Sequence, residues 1–503
     1  MTPGVVAPLR NRHAIPWPDV PCLSVAAFRS AVIEAVQLGR RLILLFGLPD
    51  GPTTSRLVAV LADDRTGGLE ALSTSVGERY PALAPDCPTA ARFEREIAEQ
   101  CGTVPEGHPA LKPLRRHPPD HLPAGRRAGV ADREACPFDR IEGEEVHEVA
   151  VGPVHAGIIE PGHFRFQAHG ERVLALEVML GYQHRGIERL LAAAPVARAV
   201  LIAESIAGDT VVGHAGVYCG VVEALARSHK TPRAQAIRGI ALEIERLANH
   251  LGDLGAIAGD VAYQPGASYF GRMRGDCLNL SQELCGNRFG RGLVRPGGVG
   301  FDLTPALADR VRAQLGQLAE ELPQVGRLML ENASVQARLE GIGVVTREDC
   351  ARLGLVGPTA RACEVARDVR HDHPWGIFRF AHIPVATAWA GDVLARVFVR
   401  WVEIQRSLEF AMEQVDALPR GAARVAVGAL RPNEMAVGMA EGWRGEIVHA
   451  AITDGDGRIR RYKVTDPSFH NWAALGAALP GQQISDFPLC NKSFNLSYAG
   501  HDL

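Results

Sequence analysis

The sequence predicts an α+β fold, in which a small N-terminal α/β domain is joined to a mainly α-helical domain that carries small antiparallel β hairpins. Three observations support this prediction. Strand and helix patterns alternate in residues 1 to about 110, helical periodicity dominates residues 186–421, and strand patterns return near the end of the chain. A chain of 503 residues is long enough for two or three domains.

The predicted N-terminal domain covers residues 1–111. Apolar side chains recur every three or four positions in residues 23–39, which predicts a helix. Residues 41–46 and 55–62 are rich in aliphatic side chains and are separated by a turn region, which predicts two strands.

Residues 112–140 are predicted to be a linker between the two domains. Five prolines stand among six Lys and Arg side chains in residues 112–137. This composition favours a stiff, extended segment over a compact one.

The predicted second domain covers residues 141–503. Residues 163–168 and 173–178 predict one hairpin, and residues 445–453 and 458–464 predict another. The helical region between the hairpins is expected to be interrupted at the following places: Pro232, the 290–300 loop, Pro323 and Pro358.

Residues 242–260 predict a central helix that is packed closely on several sides. One stripe is apolar, and a second is made of the small residues Ala248, Gly252, Gly255 or Ala256, and Gly259. Glycine costs about 1 kcal/mol relative to alanine inside a helix, so this helix gains if its neighbours approach closely. Its charged residues indicate either a polar interior or an ordinary solvated face, and the pattern leaves both interpretations open.

Bulk properties exclude several classes of function. The net charge of −3 gives no electrostatic basis for nucleic-acid binding. No window approaches the ~18 uninterrupted apolar residues that a membrane-spanning helix needs, and the first residues lack a signal-peptide layout. The ten cysteines are never spaced as Cys-x-x-Cys, which predicts reduced thiols and no iron–sulfur cluster in this chain. We expect a cytoplasmic protein that reaches a membrane only through partners.

Several motifs resemble two subunits of respiratory complex I. Residues 93–97, 107–109 and Arg115-Arg116 are similar to the signature of the 30-kDa subunit. Residues 145–503 resemble the 49-kDa subunit and its relatives, the large subunits of nickel–iron hydrogenases. The motifs that carry this second resemblance are Gly152-Pro-Val-His155, Glu160-Pro-Gly-His-Phe164, Tyr182-Gln-His-Arg-Gly-Ile-Glu-Arg189, Leu242-Glu-Ile-Glu-Arg-Leu-Ala-Asn-His250, Gly286-Asn-Arg-Phe-Gly-Arg-Gly-Leu293 and Arg460-Arg-Tyr-Lys-Val-Thr-Asp-Pro-Ser-Phe469. The fused order is most similar to the large subunit of membrane-bound hydrogenases of the formate-hydrogenlyase type.

The chain departs from the hydrogenase pattern where that pattern holds metal. Hydrogenases of this family bind nickel and iron through two Cys-x-x-Cys pairs, because such a centre requires soft thiolate ligands. The resemblance places the four ligand positions at Ala207, Thr210, Ser497 and Gly500. None of these residues offers a thiolate, so we expect no metal centre in this chain.

Complex I provides a second precedent, because its 49-kDa subunit lacks the same cysteines and lines a quinone site. The resemblance places His155 where a family histidine hydrogen-bonds the quinone headgroup, and a histidine can also supply a proton. The family's second ligand, a tyrosine, has no counterpart near Ala207, and Tyr218 lies too far along the chain for a simple substitution. The expected cavity for an acceptor is formed by His155, Asp209, Thr210 and the segment 495–500, with His155, Asn495 and Ser497 as the candidate acceptor-binding residues.

The candidate catalytic residues are His155, Asp209, Thr210 and His214. Burial would raise the pKa of Asp209 and make it a proton carrier. For Asp209, Thr210 and His214, a purely structural role is equally compatible with the sequence. The same two alternatives, a polar path or structural ion pairs, apply to Glu204, Glu243, Glu245, Arg246 and His250.

The resemblance implies a subunit of a hetero-oligomeric complex on the cytoplasmic face of a membrane. In the favoured hypothesis, electrons pass from an iron–sulfur cluster in a small partner subunit to an acceptor, for which quinone is the precedent. This transfer would drive membrane subunits that translocate ions. In the alternative, the chain is an inert scaffold that joins a redox or carboxylating partner to the membrane arm. An open polar cavity favours the first hypothesis, and a satisfied His155 beside a filled cavity favours the second.

Overall fold

The computed structural model describes residues 6–115, 117–118, 121–122, 138–157 and 159–503. The strands are β1 Ala7–Arg10, β2 His13–Pro16, β3 Cys22–Leu23, β4 Arg41–Pro49, β5 Ser55–Asp63, β6 Gly68–Val76, β7 Arg79–Pro81, β8 Val104–Glu106, β9 Val146–Val151, β10 His163–His169, β11 Arg172–Met179, β12 Val294–Arg295, β13 Gly298–Val299, β14 Glu434–Gly442, β15 Gly445–Thr453 and β16 Ile459–Thr465. The α-helices are α1 Val25–Gln37, α2 Ala91–Cys101, α3 Ile187–Ala193, α4 Val196–Ala203, α5 Val211–Leu225, α6 Pro232–Asp260, α7 Gln264–Cys285, α8 Pro305–Leu330, α9 Ala333–Leu339, α10 Arg347–Leu353, α11 Gly357–Arg361, α12 Val369–Asp372, α13 Val393–Asp416, α14 Pro467–Ala478, α15 Phe487–Phe494 and α16 Tyr498–Asp502.

The first sheet lies in the N-terminal part of the chain. Its strands follow the order β1-β6-β5-β4, and the short strand β3 runs parallel to β6 on the same side as β1, next to Ser73 and Thr74. The predicted helix 23–39 is confirmed as α1, and the two predicted strands are confirmed as β4 and β5, which pair antiparallel. Both faces of this sheet are covered, because α1 and α2 pack on one face and β14 and β15 contribute to the apolar cluster on the other. This double burial explains the unbroken aliphatic run of β4.

The second sheet joins the two ends of the chain. Its order is β16-β15-β14-β2, and Ala14 of β2 lies opposite Ala436 of β14. The hairpin predicted near the end is confirmed as β15 and β16, whereas β14 was not predicted. A strand from residues 1–111 therefore completes a sheet of residues 141–503. The division at 111 and 140 stays a prediction, and residues 116, 119–120 and 123–137 of the predicted linker lie outside the described residues.

The third sheet, β11-β10-β9, contains the first predicted hairpin, which is confirmed as β10 and β11. Its apolar face packs on α14, where Phe164 and Phe166 share a buried cluster with Trp472. This sheet holds the loop of residues 152–163 at its edge, beside the C-terminal helices.

The helical region is built around α6. The predicted helix 242–260 is confirmed as the C-terminal part of this helix. The small residues bring α7 close, because a Cβ at Gly252 would lie 2.8 Å from Arg274 Cδ. The alternative of a solvated charged face is wrong, since Glu243, Arg246 and His250 are all buried.

Two other features of the helical region bear on the sequence predictions. The break predicted at Pro323 is wrong: α8 continues through it, with the proline ring on the exposed side of the helix. In the part of the chain that the structure describes, no helix is both long enough and apolar enough to cross a bilayer.

Candidate functional site

The candidate site lies where three segments meet: the turn before α5, the turn between β14 and β15, and the C-terminal segment 495–503. The first and third carry the four positions that the resemblance equates with metal ligands. The middle turn supplies Trp443 and Arg444, which sequence reasoning did not single out.

Asp209 and Arg444 form the centre of this arrangement. Arg444 Nη1 donates to Asp209 Oδ1 at 2.6 Å, and Nη2 donates to Oδ2 at 2.8 Å. The Thr210 hydroxyl donates to Asp209 Oδ1 at 3.1 Å, and the guanidinium stacks 3.9 Å from the centre of the Trp443 ring. Arg444 Nε also donates to the Asn495 carbonyl, so one side chain connects the three segments.

The expected rise in the pKa of Asp209 is wrong. Burial does act to raise this pKa, but the charge and hydrogen bonds of Arg444 outweigh it, so the pKa lies below its usual value. Asp209 is therefore ionised at neutral pH and is held by a cation. The proton-carrier role that was expected from its burial does not follow.

His214 lies in a second, fully buried chain of hydrogen bonds. Its Nε2 donates to Asp466 Oδ2 at 2.9 Å, and its Nδ1 lies 3.1 Å from His449 Nε2. His449 Nδ1 lies 2.9 Å from the Tyr462 hydroxyl. Burial, followed by the charges of His214 and Arg12, lowers the pKa of His449 well below its usual range. The Asp466 carboxylate, whose pKa is lowered by the hydrogen bond and charge of His214 against the effect of burial, accepts at one end of this chain, and the tautomers of the two imidazoles set the direction of the other hydrogen bonds.

Asp466 occupies the space beside Gly500. A Cβ built at Gly500 would lie 2.6 to 2.8 Å from the carboxylate atoms of Asp466, closer than real side chains pack. Ser497 caps α16 by accepting the Gly500 N–H on its hydroxyl at 2.9 Å. Ala207 is completely buried. The four predicted ligand positions are thus occupied by an apolar side chain, two hydroxyls with intramolecular partners, and a glycine against a carboxylate.

Asn495 is fixed by its surroundings. It ends α15 in the left-handed conformation, and its side-chain amide donates to Asp253 Oδ1 at 2.6 Å. Asp253 in turn accepts from Arg400 Nε at 2.7 Å. The side chain that was predicted to line the acceptor cavity is therefore committed to the packing of α15 on α6.

His155 stands apart from the other predicted catalytic residues. Its Nε2 donates to the Gly162 carbonyl at 2.8 Å, and its ring lies near Phe164. Among the described residues, its hydrogen bond and ring contact are both to its own segment and not to Asp209, Thr210 or His214. The connection is indirect: Gly162 packs so tightly on Tyr498 that a Cβ there would lie 2.5 Å from Tyr498 Cε1.

Two other carboxyl groups have raised pKa values in this region. Burial raises the pKa of Glu245 to about 8. The N–H groups of Val212 and Gly213, at the start of α5, donate hydrogen bonds to its carboxylate and act in the opposite direction. Burial also raises the pKa of Glu160, which faces Arg444 and the first amides of α16. Glu245 is one of the residues for which the sequence left open a polar path or structural ion pairs. Glu160 was noted only as part of a motif.

The other members of that predicted path form ion pairs within the helices. Glu204 accepts from Arg295 at 2.6 Å, and Glu243 accepts from Arg246, Arg370 and Ser407. Glu403 on α13 forms ion pairs with three side chains: Arg361, Arg246 and His250. The structure therefore favours the structural interpretation for these residues.

Comparisons with known proteins identify the family. The family of the 49-kDa subunit of respiratory-chain NADH dehydrogenase matches residues 260–430 and 422–502. The chain is 30% identical over 438 residues to formate hydrogenlyase subunit 5 of Escherichia coli (strain K12), across 84% of this chain and 77% of that protein. It is 31% identical over 350 residues to the carbon monoxide-induced hydrogenase of Rhodospirillum rubrum, across 69% of this chain and 97% of that one.

One solved structure is similar to most of this chain. A chain of the membrane-bound sulfane sulfur reductase, an archaeal respiratory membrane complex, superposes with a TM-score of 0.67 at 25% identity, over 72% of this chain and 99% of that one. These relatives come from membrane-bound hydrogenases and complex I-like respiratory complexes, which confirms the resemblance found in the motifs. The chain therefore belongs to the family of the 49-kDa subunit of respiratory-chain NADH dehydrogenase and its membrane-bound hydrogenase relatives.

Proposed function

We propose that this chain is a scaffold subunit of a membrane-associated, complex I-like oxidoreductase and has no metal chemistry of its own. It would join a small iron–sulfur partner to ion-translocating membrane subunits, lying peripherally on the cytoplasmic face. Family membership supports the type of complex. The observation that carries the scaffold role is the Asp209–Arg444 ion pair, which occupies the centre of the site.

The residues present do not fit a nickel–iron centre. Neither Ala207 nor Gly500 has a side chain that can bind metal, and the carboxylate of Asp466 takes the space beside Gly500. Hydroxyls are poor ligands for a centre that requires thiolates, and the hydroxyl of Ser497 is used as a helix cap.

The predicted quinone ligands are also engaged within the protein. A quinone needs a free donor as negative charge develops on its oxygen. His155 Nε2 donates to Gly162, the Thr210 hydroxyl donates to Asp209, and the Asn495 amide donates to Asp253. A ligand at this place would have to break these bonds first. We therefore derive no step through a quinone, and the scaffold is the function that the geometry supports best.

An acceptor site remains the second candidate function, because one observation favours it. The Asp209 side chain keeps 32% of its surface exposed, although Arg444 beside it is buried. His155 is half-buried, and Val154 and Ile159 on either side of it are exposed apolar residues. The exposed part of the Asp209 side chain leaves the ion pair open to a molecule from outside.

Electron paramagnetic resonance on the native complex in its membranes distinguishes the two functions. The partner's iron–sulfur cluster is reduced, a quinone is added, and reoxidation is compared in wild type, His155→Ala and His169→Ala. His169 is the matched control, since it is an exposed histidine on the neighbouring strand β10. A scaffold predicts that all three behave alike. Quinone-dependent reoxidation that is lost only in His155→Ala, with the complex still assembled, would establish the acceptor site instead.

Deletion of the chain tests the scaffold directly. Without it, the iron–sulfur partner and the membrane subunits should no longer purify together, and His155→Ala should restore their association. Continued copurification in the deletion strain would contradict a joining role.

A further inference from the structure

A cleft of about 500 Å³ lies away from the candidate site. Its walls come from the turn between β1 and β2, the start of α6, and residues 373–380. This volume is within the range of small-molecule sites, which is about 300–1,000 Å³.

The cleft is strongly cationic. Four side chains that line it carry positive charge: Arg10, Arg12, Lys230 and Arg379. None of the described residues that line it is an Asp or a Glu. Burial lowers the pKa of Lys230 to about 8, and the nearby Arg12, Arg238 and Arg379 add to this effect against the opposing charge of Glu223. The protein's own carboxylates thus leave the cations only partly compensated.

Buried polar atoms in the cleft wall have no hydrogen-bond partner within the described part of the chain. Arg12 and Trp375 are at least nine-tenths buried, yet no described residue accepts a hydrogen bond from Arg12 Nε or Trp375 Nε1. Gln235 adds a buried acceptor, Oε1, that also lacks a partner. Because native proteins seldom leave such atoms unsatisfied, each of them indicates a missing partner.

Arg12 is held in position by its neighbours in the protein. The Arg12 guanidinium lies 3.5 Å from the centre of the Trp375 ring and crosses α5 at Gly220, where a Cβ would lie 2.7 Å from Arg12 Cδ. The 29-residue helix α6 also begins here, with Pro232 at its first position and Thr231 as its cap. A helix N-terminus adds partial positive charge to the same space.

We propose that this cleft binds a small molecule that carries a phosphate monoester. Phosphate presents two negative charges and several acceptors, which suits several cations and free donors better than a single carboxylate does. The Gln235 oxygen suits a hydroxyl on the same molecule. Phe380 at the rim has 83% of its surface exposed and offers a face on which an aromatic base could stack.

Calorimetry on the full chain tests the site with three soluble probes: AMP, adenosine and inorganic phosphate. AMP should bind, and adenosine, which lacks the phosphate, should bind at least about tenfold more weakly, as expected for the loss of charge-assisted hydrogen bonds. A second arm uses phosphatidylcholine vesicles with and without phosphatidic acid, which presents the same phosphate monoester on a lipid. Cosedimentation that requires phosphatidic acid, without AMP binding, would support the site and assign a lipid as its source.

Variants locate the binding. Lys230→Met and Arg379→Gln should each raise the dissociation constant of the probe about tenfold. Arg420→Gln, which replaces an exposed arginine beyond α13, should leave the dissociation constant unchanged. Arg379 is exposed, so its variant keeps the test valid even if Lys230→Met folds poorly. Absence of binding to both AMP and phosphatidic acid, or equal binding by wild type and Arg379→Gln, would overturn the proposal.

Discussion

Arg444 and Asp209 are joined by two parallel hydrogen bonds, so a residue of the β14–β15 turn holds the residue that precedes Thr210 and α5. A two-point arginine–carboxylate pair fixes orientation as well as distance. Asp209 is the chain neighbour of Thr210, one of the positions that the motif resemblance equates with metal ligands.

Replacing Arg444 with Gln should lower the free energy of unfolding by about 2–3 kcal/mol at neutral pH. Removal of one partner leaves a charge poorly compensated, although the partial exposure of Asp209 keeps the loss below that of a fully buried pair. Urea unfolding measures the change. If the pair is the cause, Arg444→Gln combined with Asp209→Asn should lose less than the sum of the two single variants.

The same pair predicts a pH dependence. The pKa of Asp209 is lower in the folded protein than in the unfolded chain, so the pair stabilises the protein fully above about pH 4, near the unfolded pKa. This contribution is lost as the pH falls through the folded pKa. The difference between wild type and Arg444→Gln should therefore shrink in acid, and a constant difference would contradict the ion-pair account.

Gly500→Ala should destabilise the protein by about 1–3 kcal/mol, because the added methyl would overlap the Asp466 carboxylate. Gly271→Ala is the control, since a Cβ there meets no atom within 4 Å and alanine favours the helix. Thermal unfolding of both variants measures the contrast. Equal stability of the two would show that Asp466 moves away at no cost.

Proton uptake by His449 in the unfolded chain should lower the free energy of unfolding in mild acid. The folded histidine stays neutral because its pKa is well below the usual range, whereas the unfolded chain takes up a proton below about pH 6.5. Below that pH, this group should reduce the free energy of unfolding by about 1.4 kcal/mol per pH unit. Urea unfolding at several pH values should give a shallower slope of the free energy of unfolding against pH for His449→Gln than for wild type, and equal slopes would contradict this account.

Glu403→Gln should cost about 3–5 kcal/mol, because Arg361, Arg246 and His250 would lose their shared anion in a buried place. Arg272→Ala provides the comparison, since its ion pairs with Asp276 and Glu321 lie at the surface and such pairs contribute about 0–1 kcal/mol each. Chemical denaturation of both variants measures the difference. A small loss for Glu403→Gln would mean that the cluster tolerates protonation and is more than structural.

The sequence was most informative where a pattern is local. The strand patterns of β4, β5, β10, β11, β15 and β16 and the periodicity of α1 and α6 each need only neighbouring residues, and these elements were predicted. The pairing of β2 with β14 was not, because short periodic patterns do not encode the choice of a partner strand more than 400 residues away. The same holds for the double burial of the first sheet.

The site was predictable only in part for a related reason. Motifs identified the positions of Ala207, Thr210, Ser497 and Gly500, but the charge state of Asp209 depends on Arg444, which is 235 residues away along the chain. The turn Trp443-Arg444-Gly445 between two strands and the Asp466-Pro467 helix start were visible signals, but neither indicates its partner. Local sequence therefore pointed to two segments that the structure brings close to Arg444, and it gave the wrong direction for the pKa of Asp209.

The β2–β14 pairing bears on how the N-terminal part of the chain attaches to the rest. An N-terminal domain encoded as a separate subunit could attach to its neighbour by donating one strand to an open sheet edge. Backbone hydrogen bonds between the two strands would then hold the domains together. A peptide connection would then add no contact and would only raise the local concentration of the donated strand. The fused gene and a split pair of genes would thus encode the same interface, and the order of the two domains along the chain would matter less than access to the edge of β14.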